Sequence, residues 1–298
     1  MRFGDLHPYA PDPAPYVDAG VPAWLDELDL KPPPPHLKMG TRSLDLDTWL
    51  LPDRFHDGEL AIRRRLLDER RDDVFGALAG TEAACSETLA LVTDWLAAHG
   101  IAASERADGH PLAAAGRMVQ EDLCLMIRHE DGWRLDAAML CFPTLWLLSD
   151  KLGRVNADVH APVPHFAEEL LARVDTFFDR LRPSTPVWRR NFSLMPAPML
   201  CLAAREFDPP LTSMTLADDG SPLWLRSERQ TLRRLPQSDA ILFTIKVQIA
   251  PAGVLRSRPD RAADLAAMYA HLDAAAHGYK MGGDTLVPAL TRWLAGIG

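Results

Sequence analysis

The chain has 298 residues, and 41 acidic against 32 basic side chains give it a net charge of −9. That balance excludes a general nucleic-acid binder and gives no reason to expect an anionic membrane as partner. Hydrophobic residues at 47% and charged residues at 24% suit a globular protein that buries a sizeable core.

The first 40 residues are rich in proline and end in "KPPPPHLKMG". Such a stretch resists helix and central strand, so an extended surface arm is expected over residues 1–40, followed by one domain over residues 41–298. "DGELAIRRRLLDERRDDVFGAL" places Leu60, Leu66, Leu67, Val74 and Phe75 along one helical face. The Arg63–Arg65 run within it reads as a solvated face. "TEAACSETLALVTDWLAAHG" predicts a second helix, with Thr81 at its start and Gly100 at its end.

From Met118 the period changes to that of strands. "MVQEDLCLMIRHEDGWRLDAAMLCFP" predicts a hairpin turning at Glu130–Gly132. "PHFAEELLARVDTFFDRL" is amphipathic at helical spacing, with prolines before it. "VWRRNFSLMP", "SPLWLRSERQTLRRL" and "AILFTIKVQIAP" predict three more strands, and "RAADLAAMYAHLDAAAHG" a closing helix. Strands and helices do not alternate, so the expected class is α+β around an antiparallel sheet. No charged start with an apolar run opens the chain, and no segment is apolar for the length of a bilayer. The chain therefore reads as a soluble cytoplasmic protein.

Chemistry has few places to sit. GxGxxG, P-loop, HExxH and GxSxG motifs are missing, so no flavin or nicotinamide site is expected in this chain. Cys85, Cys124, Cys141 and Cys201 are scattered without a CxxC pair, which predicts buried thiols rather than a zinc cluster or disulfides. His160 stands before Ala-Pro-Val-Pro, a stiff segment that could fix a metal ligand as readily as it could bury a histidine bonded to a carbonyl. His165 is a rival. In "LRSERQTLRRLP", strand alternation sends Arg226, Glu228 and Gln230 to one face, and Ser227, Arg229 and Thr231 to the other. Guanidinium forks bind carboxylates and phosphates, while a plain outer face with cross-strand pairs fits the same pattern. Trp146, Trp188 and Trp224 add flat surface that core packing also explains.

"QEDLCLM", "CFPTLWLLSDKLG", "VHAPVPHF", "RRNFSL", "LRSERQTLRRLP" and "ILFTIKV" follow one another as in one family. Over roughly Lys31–Lys280 the chain resembles the alpha subunit of haem-dependent oxidative N-demethylase, the haem-carrying component of dimethylamine monooxygenase. The resemblance implies a PAS-like antiparallel sheet flanked by helices, with extra N-terminal helices and the proline-rich arm. It implies a haem b whose iron takes His160 as axial ligand. Arg226, Arg229 and Arg233 are then candidates for the propionates, with Lys151 and Trp146 as further cofactor contacts. Glu228, and after it Glu121, are candidates to orient an ammonium substrate or relay protons.

The implied activity is monooxygenation of a small methylated amine with O2. Electrons would come from a separate reductase subunit carrying flavin and an iron–sulfur centre, fed by NADPH. Phe192 stands where the family pattern has tryptophan. Two other readings compete: a haem-binding sensor or carrier without turnover, and a protein binding another anion through the arginine strand. Amine-dependent formaldehyde release separates the enzyme from the first, and a haem spectrum separates it from the second.

Overall fold

A computed structural model describes residues 3–30, 39–102, 109–203, 215–272 and 286–297. Seven strands form one sheet: β1 (Arg42–Ser43), β2 (Phe75–Ala77), β3 (Asp122–His129), β4 (Gly132–Met139), β5 (Val187–Met195), β6 (Trp224–Arg234) and β7 (Ile241–Pro251). Their spatial order is β1-β5-β6-β7-β3-β4-β2, and every pairing is antiparallel. The fold is α+β, as the order of elements predicts.

Before the hairpin lie α1 (Ala14–Asp18), α2 (His56–Glu69), α3 (Arg71–Val74), α4 (Glu82–Ala98) and α5 (Pro111–Gly116). Between β4 and β5 come α6 (Leu148–Lys151), α7 (Asn156–Val159), α8 (Phe166–Glu169) and α9 (Leu171–Arg180). After β7 come α10 (Pro259–Ala270) and α11 (Leu286–Ala295). None of the described helices is long and apolar enough to cross a membrane.

The hairpin turns where Asp131-Gly132 predicts, with Gly132 at φ +132°, a conformation open to glycine. Strands β5, β6 and β7 match the alternating segments. Three expectations change. The N-terminal segment is not a surface arm over its described part: helical turns at Phe3–Tyr9, Ala14–Asp18 and Ala23–Glu27 bury Leu6, Tyr9, Tyr16, Trp24 and Leu25. Proline fits the first turn of a helix, where its missing N–H has no role. "KPPPPHLK" lies outside the described residues, as does 273–278 of the closing helix.

The helix expected through Leu78 ends earlier. It breaks at Arg70 and gives way to the three-residue edge strand β2. Within the Arg63–Arg65 run, expected to be a solvated face, Arg65 is exposed but Arg63 is not. Arg63 is fully buried, with NH1 on Asp122 Oδ1 at 2.6 Å and NH2 on Glu121 O at 2.7 Å. Asp122 also accepts from Cys141 N at 2.7 Å and Phe142 N at 3.0 Å. This pair ties α2 to the start of β3 and to the segment after β4.

Candidate functional site

Pairing registers assign the sheet's faces. Glu228 lies opposite Asn191 and Val247, and Gln230 opposite Arg189 and Ile245. With side chains alternating along each strand, Arg226, Glu228, Gln230 and Arg189 share one face. Arg229, Arg233, Arg190 and Lys246 share the other.

His160 closes α7, held half-buried on the segment between β4 and β5. Its Nδ1 lies 3.0 Å from Asn156 O. A carbonyl oxygen only accepts, so Nδ1 carries the hydrogen and Nε2 keeps its lone pair. Nε2 has no partner among the described residues. Burial pushes His160 down to about 4; the bond to Asn156 opposes this, while Lys151 and Arg189 add to it. A neutral imidazole with one nitrogen fixed by a carbonyl is the form that ligates a metal. His165 differs: it is exposed, at φ +61° before α8.

Lys151 and Trp146 are brought together, with Nζ 4.1 Å from the centre of the indole ring. Burial lowers Lys151 to about 8, against the opposing charges of Glu228 and Asp150. Arg189 donates from Nε to Gln230 Oε1 at 2.9 Å and from NH1 to Met39 O at 3.3 Å. Lys151 and Arg189 are thus the two cations that act on His160. Sequence reasoning missed Arg189 as a site residue, although it opens the quoted "RRNFSL".

Glu228 is half-buried on the same face. Its Oε1 accepts from Thr144 Oγ1 and its Oε2 from Gln230 Nε2, the latter at 2.9 Å. Arg226 is buried and donates to Thr144 Oγ1 at 2.8 Å, Met199 O at 2.8 Å and Phe142 O at 2.7 Å. Its guanidinium holds the backbone that carries Thr144.

The remaining sequence candidates are elsewhere. Arg229 donates to Trp49 O at 3.0 Å and Thr48 O at 2.7 Å, and Arg233 stacks 4.4 Å from the centre of the Trp49 ring. Glu121 is buried and accepts from Leu51 N at 2.8 Å, within reach of the charge of Arg229. Phe192 packs in the apolar cluster with Trp24 and Leu225. These four do not join His160. Cys124, Cys141 and Cys201 are buried, and burial raises all three thiols, which disfavours a thiolate ligand. Two clefts beside α9, of about 580 and 510 Å³, are lined by residues such as Arg180 and Thr176 and do not include His160.

A family model described as haem-dependent oxidative N-demethylase, alpha subunit-like, matches residues 101–286. The chain belongs to that family. The match takes in His160, Lys151, Thr144, Arg189, Arg226, Glu228 and Gln230. Membership of the N-demethylase family implies an oxidative enzyme component that depends on haem and that has a partner subunit. The donor set suits a haem: a neutral imidazole whose Nε2 has no partner among the described residues, and two cations, Lys151 and Arg189, whose charge reaches it.

Proposed function

We propose that this chain is the haem b-carrying component of an oxidative N-demethylase acting on a small methylated amine. The observation that supports it best is His160, neutral, fixed through Nδ1 and flanked by the charges of Lys151 and Arg189. His160 would hold the iron through Nε2. Lys151 and Arg189 would pair with the propionates, whose charges are costly to leave unpaired in a partly buried site. They take this role in place of Arg229 and Arg233, which stand on the other face. Arg226 also drops out, since its donors already hold Thr144 and two backbone carbonyls.

Bound haem supplies oxygen chemistry that no side chain provides, drawing on O2 and on electrons from a separate reductase subunit. That reductase would carry flavin and an iron–sulfur centre and use NADPH. The protein's own share is binding and orientation. Glu228 shares its face with Arg189, whose charge reaches His160, and would orient an ammonium group. Trp146 gives an aromatic wall. Phe166 keeps the imidazole in plane, with ring centroids 4.2 Å apart. The net outcome is loss of one N-methyl group as formaldehyde.

The ultraviolet–visible spectrum of the purified protein, before and after dithionite and carbon monoxide, tests the reading. A Soret band that shifts on reduction and again on carbon monoxide is the expected result. If hemin added to the protein gives no such band, the reading fails. Amine-dependent formaldehyde release with a supplied reductase then tests turnover.

A further inference from the structure

A row of hydrogen bonds runs through Glu228, and arginine fixes its direction at both ends. Arginine cannot accept a hydrogen bond, so Arg226 Nε donates to Thr144 Oγ1 at 2.8 Å. Thr144 has a single hydroxyl hydrogen, and Glu228 Oε1 receives it. From the other end, Arg189 Nε donates to Gln230 Oε1 at 2.9 Å. That bond orients the amide so that Nε2 donates to Glu228 Oε2 at 2.9 Å. Each carboxylate oxygen is therefore an acceptor already, and its donor cannot turn round without stranding an arginine N–H.

Thr144 is held on all sides. Leu202 N donates to Pro143 O at 3.0 Å and Leu145 N to Leu202 O at 2.7 Å. Asp122 holds the amides of Cys141 and Phe142, while Arg226 holds the carbonyl of Phe142. The hydroxyl is thus delivered to Glu228 by rigid backbone rather than by a mobile loop.

We propose that Thr144 and Gln230 are positioning residues that hold Glu228 as an acceptor-only anchor, so that the amine enters as the protonated alkylammonium. This rests on the N-demethylase reading above. A carboxylate has about four lone-pair sites, and two of those on Glu228 are filled from the protein. The other two remain to accept from an N–H of a secondary ammonium, which would fix the nitrogen and hence where its methyl groups lie. In this arrangement the role of Glu228 is to bind the cation. Specificity follows from the same geometry. A neutral molecule of the same shape lacks the charge, and a quaternary ammonium lacks the N–H.

The test uses the full chain reconstituted with haem, and reads dimethylammonium binding from the change in haem absorption. Haem uptake by wild type, Thr144→Val, Thr144→Ser and Glu228→Gln is measured first. The expected result is equal haem uptake, with dimethylammonium bound about tenfold more weakly by Thr144→Val, as for loss of a hydrogen bond to a charged group. Thr144→Ser, which keeps the hydroxyl, restores wild-type binding. Glu228→Gln loses binding, and dimethyl ether, the neutral shape analogue, does not compete. Equal weakening by Val and Ser, or wild-type binding by Glu228→Gln, overturns the proposal while leaving the haem reading intact. A wild type that takes up no haem overturns both.

Discussion

The imidazole of His160 lies flat on the ring of Phe166, with centroids 4.2 Å apart and planes 12° from parallel. With Nδ1 tied to Asn156 O, only Nε2 can reach outward. His160→Ala should therefore abolish the haem spectrum or convert it to that of a weakly ligated haem. His165→Ala, at an exposed position, should leave it unchanged. Spectra of both variants at equal protein concentration decide the matter, and the opposite pattern would move the ligand to His165.

The two faces of the sheet separate cofactor contacts from structural arginines. Arg189→Met should weaken haem binding, measured by transfer of haem to apomyoglobin. Arg229→Met should leave haem transfer unchanged and lower the unfolding midpoint of the haem-free protein, because it strands the carbonyls of Thr48 and Trp49 at a cost of about 1–3 kcal/mol. Similar effects of the two variants on haem transfer would undo the assignment of faces.

Lys151 gives a pH signature. Its folded value, about 8, is below its ordinary 10.5 because of burial. Between these values the unfolded chain holds a proton that the folded chain lacks, so stability falls as pH drops from 10.5 to about 8. Lys151→Met removes this loss. In the haem-free protein, the variant should gain in melting temperature over wild type as pH falls through that window, then hold the gain below it. A difference independent of pH from 7 to 11 would contradict the burial of the ammonium.

Arg63 and Asp122 form a fully buried ion pair at 2.6 Å. Asp122→Ala should cost about 3–5 kcal/mol in urea unfolding, since it leaves a buried charge without its partner. Arg63→Lys should rescue little, because Arg63 uses Nε, NH1 and NH2 on separate acceptors. A lysine variant as stable as wild type would show that charge alone suffices there.

Glu87 on α4 clamps the turn between β6 and β7. Its Oε1 accepts from Gln237 N at 2.9 Å, and its Oε2 from Ser238 N at 2.8 Å and Ser238 Oγ at 2.6 Å. Glu87→Ala should destabilise by about 1–3 kcal/mol and speed hydrogen exchange at the amides of 237 and 238 above that of the neighbouring strands. Unchanged exchange at both would rule out the clamp.

What the sequence revealed follows from the range of the interactions. Alternation in β3, β4, β6 and β7 is local, so those strands were legible, as was the split of Arg226 and Glu228 from Arg229. The fate of Arg63 was not, because its partner Asp122 lies 59 residues away and helical periodicity names a face without naming what covers it. β2 was hidden by its three residues, too short for a period of two to appear. Arg189 escaped for a similar reason: only the β5–β6 register brings it opposite Gln230. His160 was legible as a position, but its tautomer depends on Asn156 O, a backbone atom that no side-chain motif records.

The division of labour along β6 has a consequence for how this protein can change over evolutionary time. Arg226, Glu228 and Gln230 serve one side, and Ser227, Arg229 and Thr231 the other, in a strand paired on both edges over most of its length. Deleting or inserting one residue there would rotate every later side chain to the wrong side, putting Arg229 where Glu228 belongs. Relatives that diverge in substrate should therefore differ by replacement within β6, never by a change in its length. Insertions and deletions should collect instead outside the paired strands, where a change of length does not reverse the side chains.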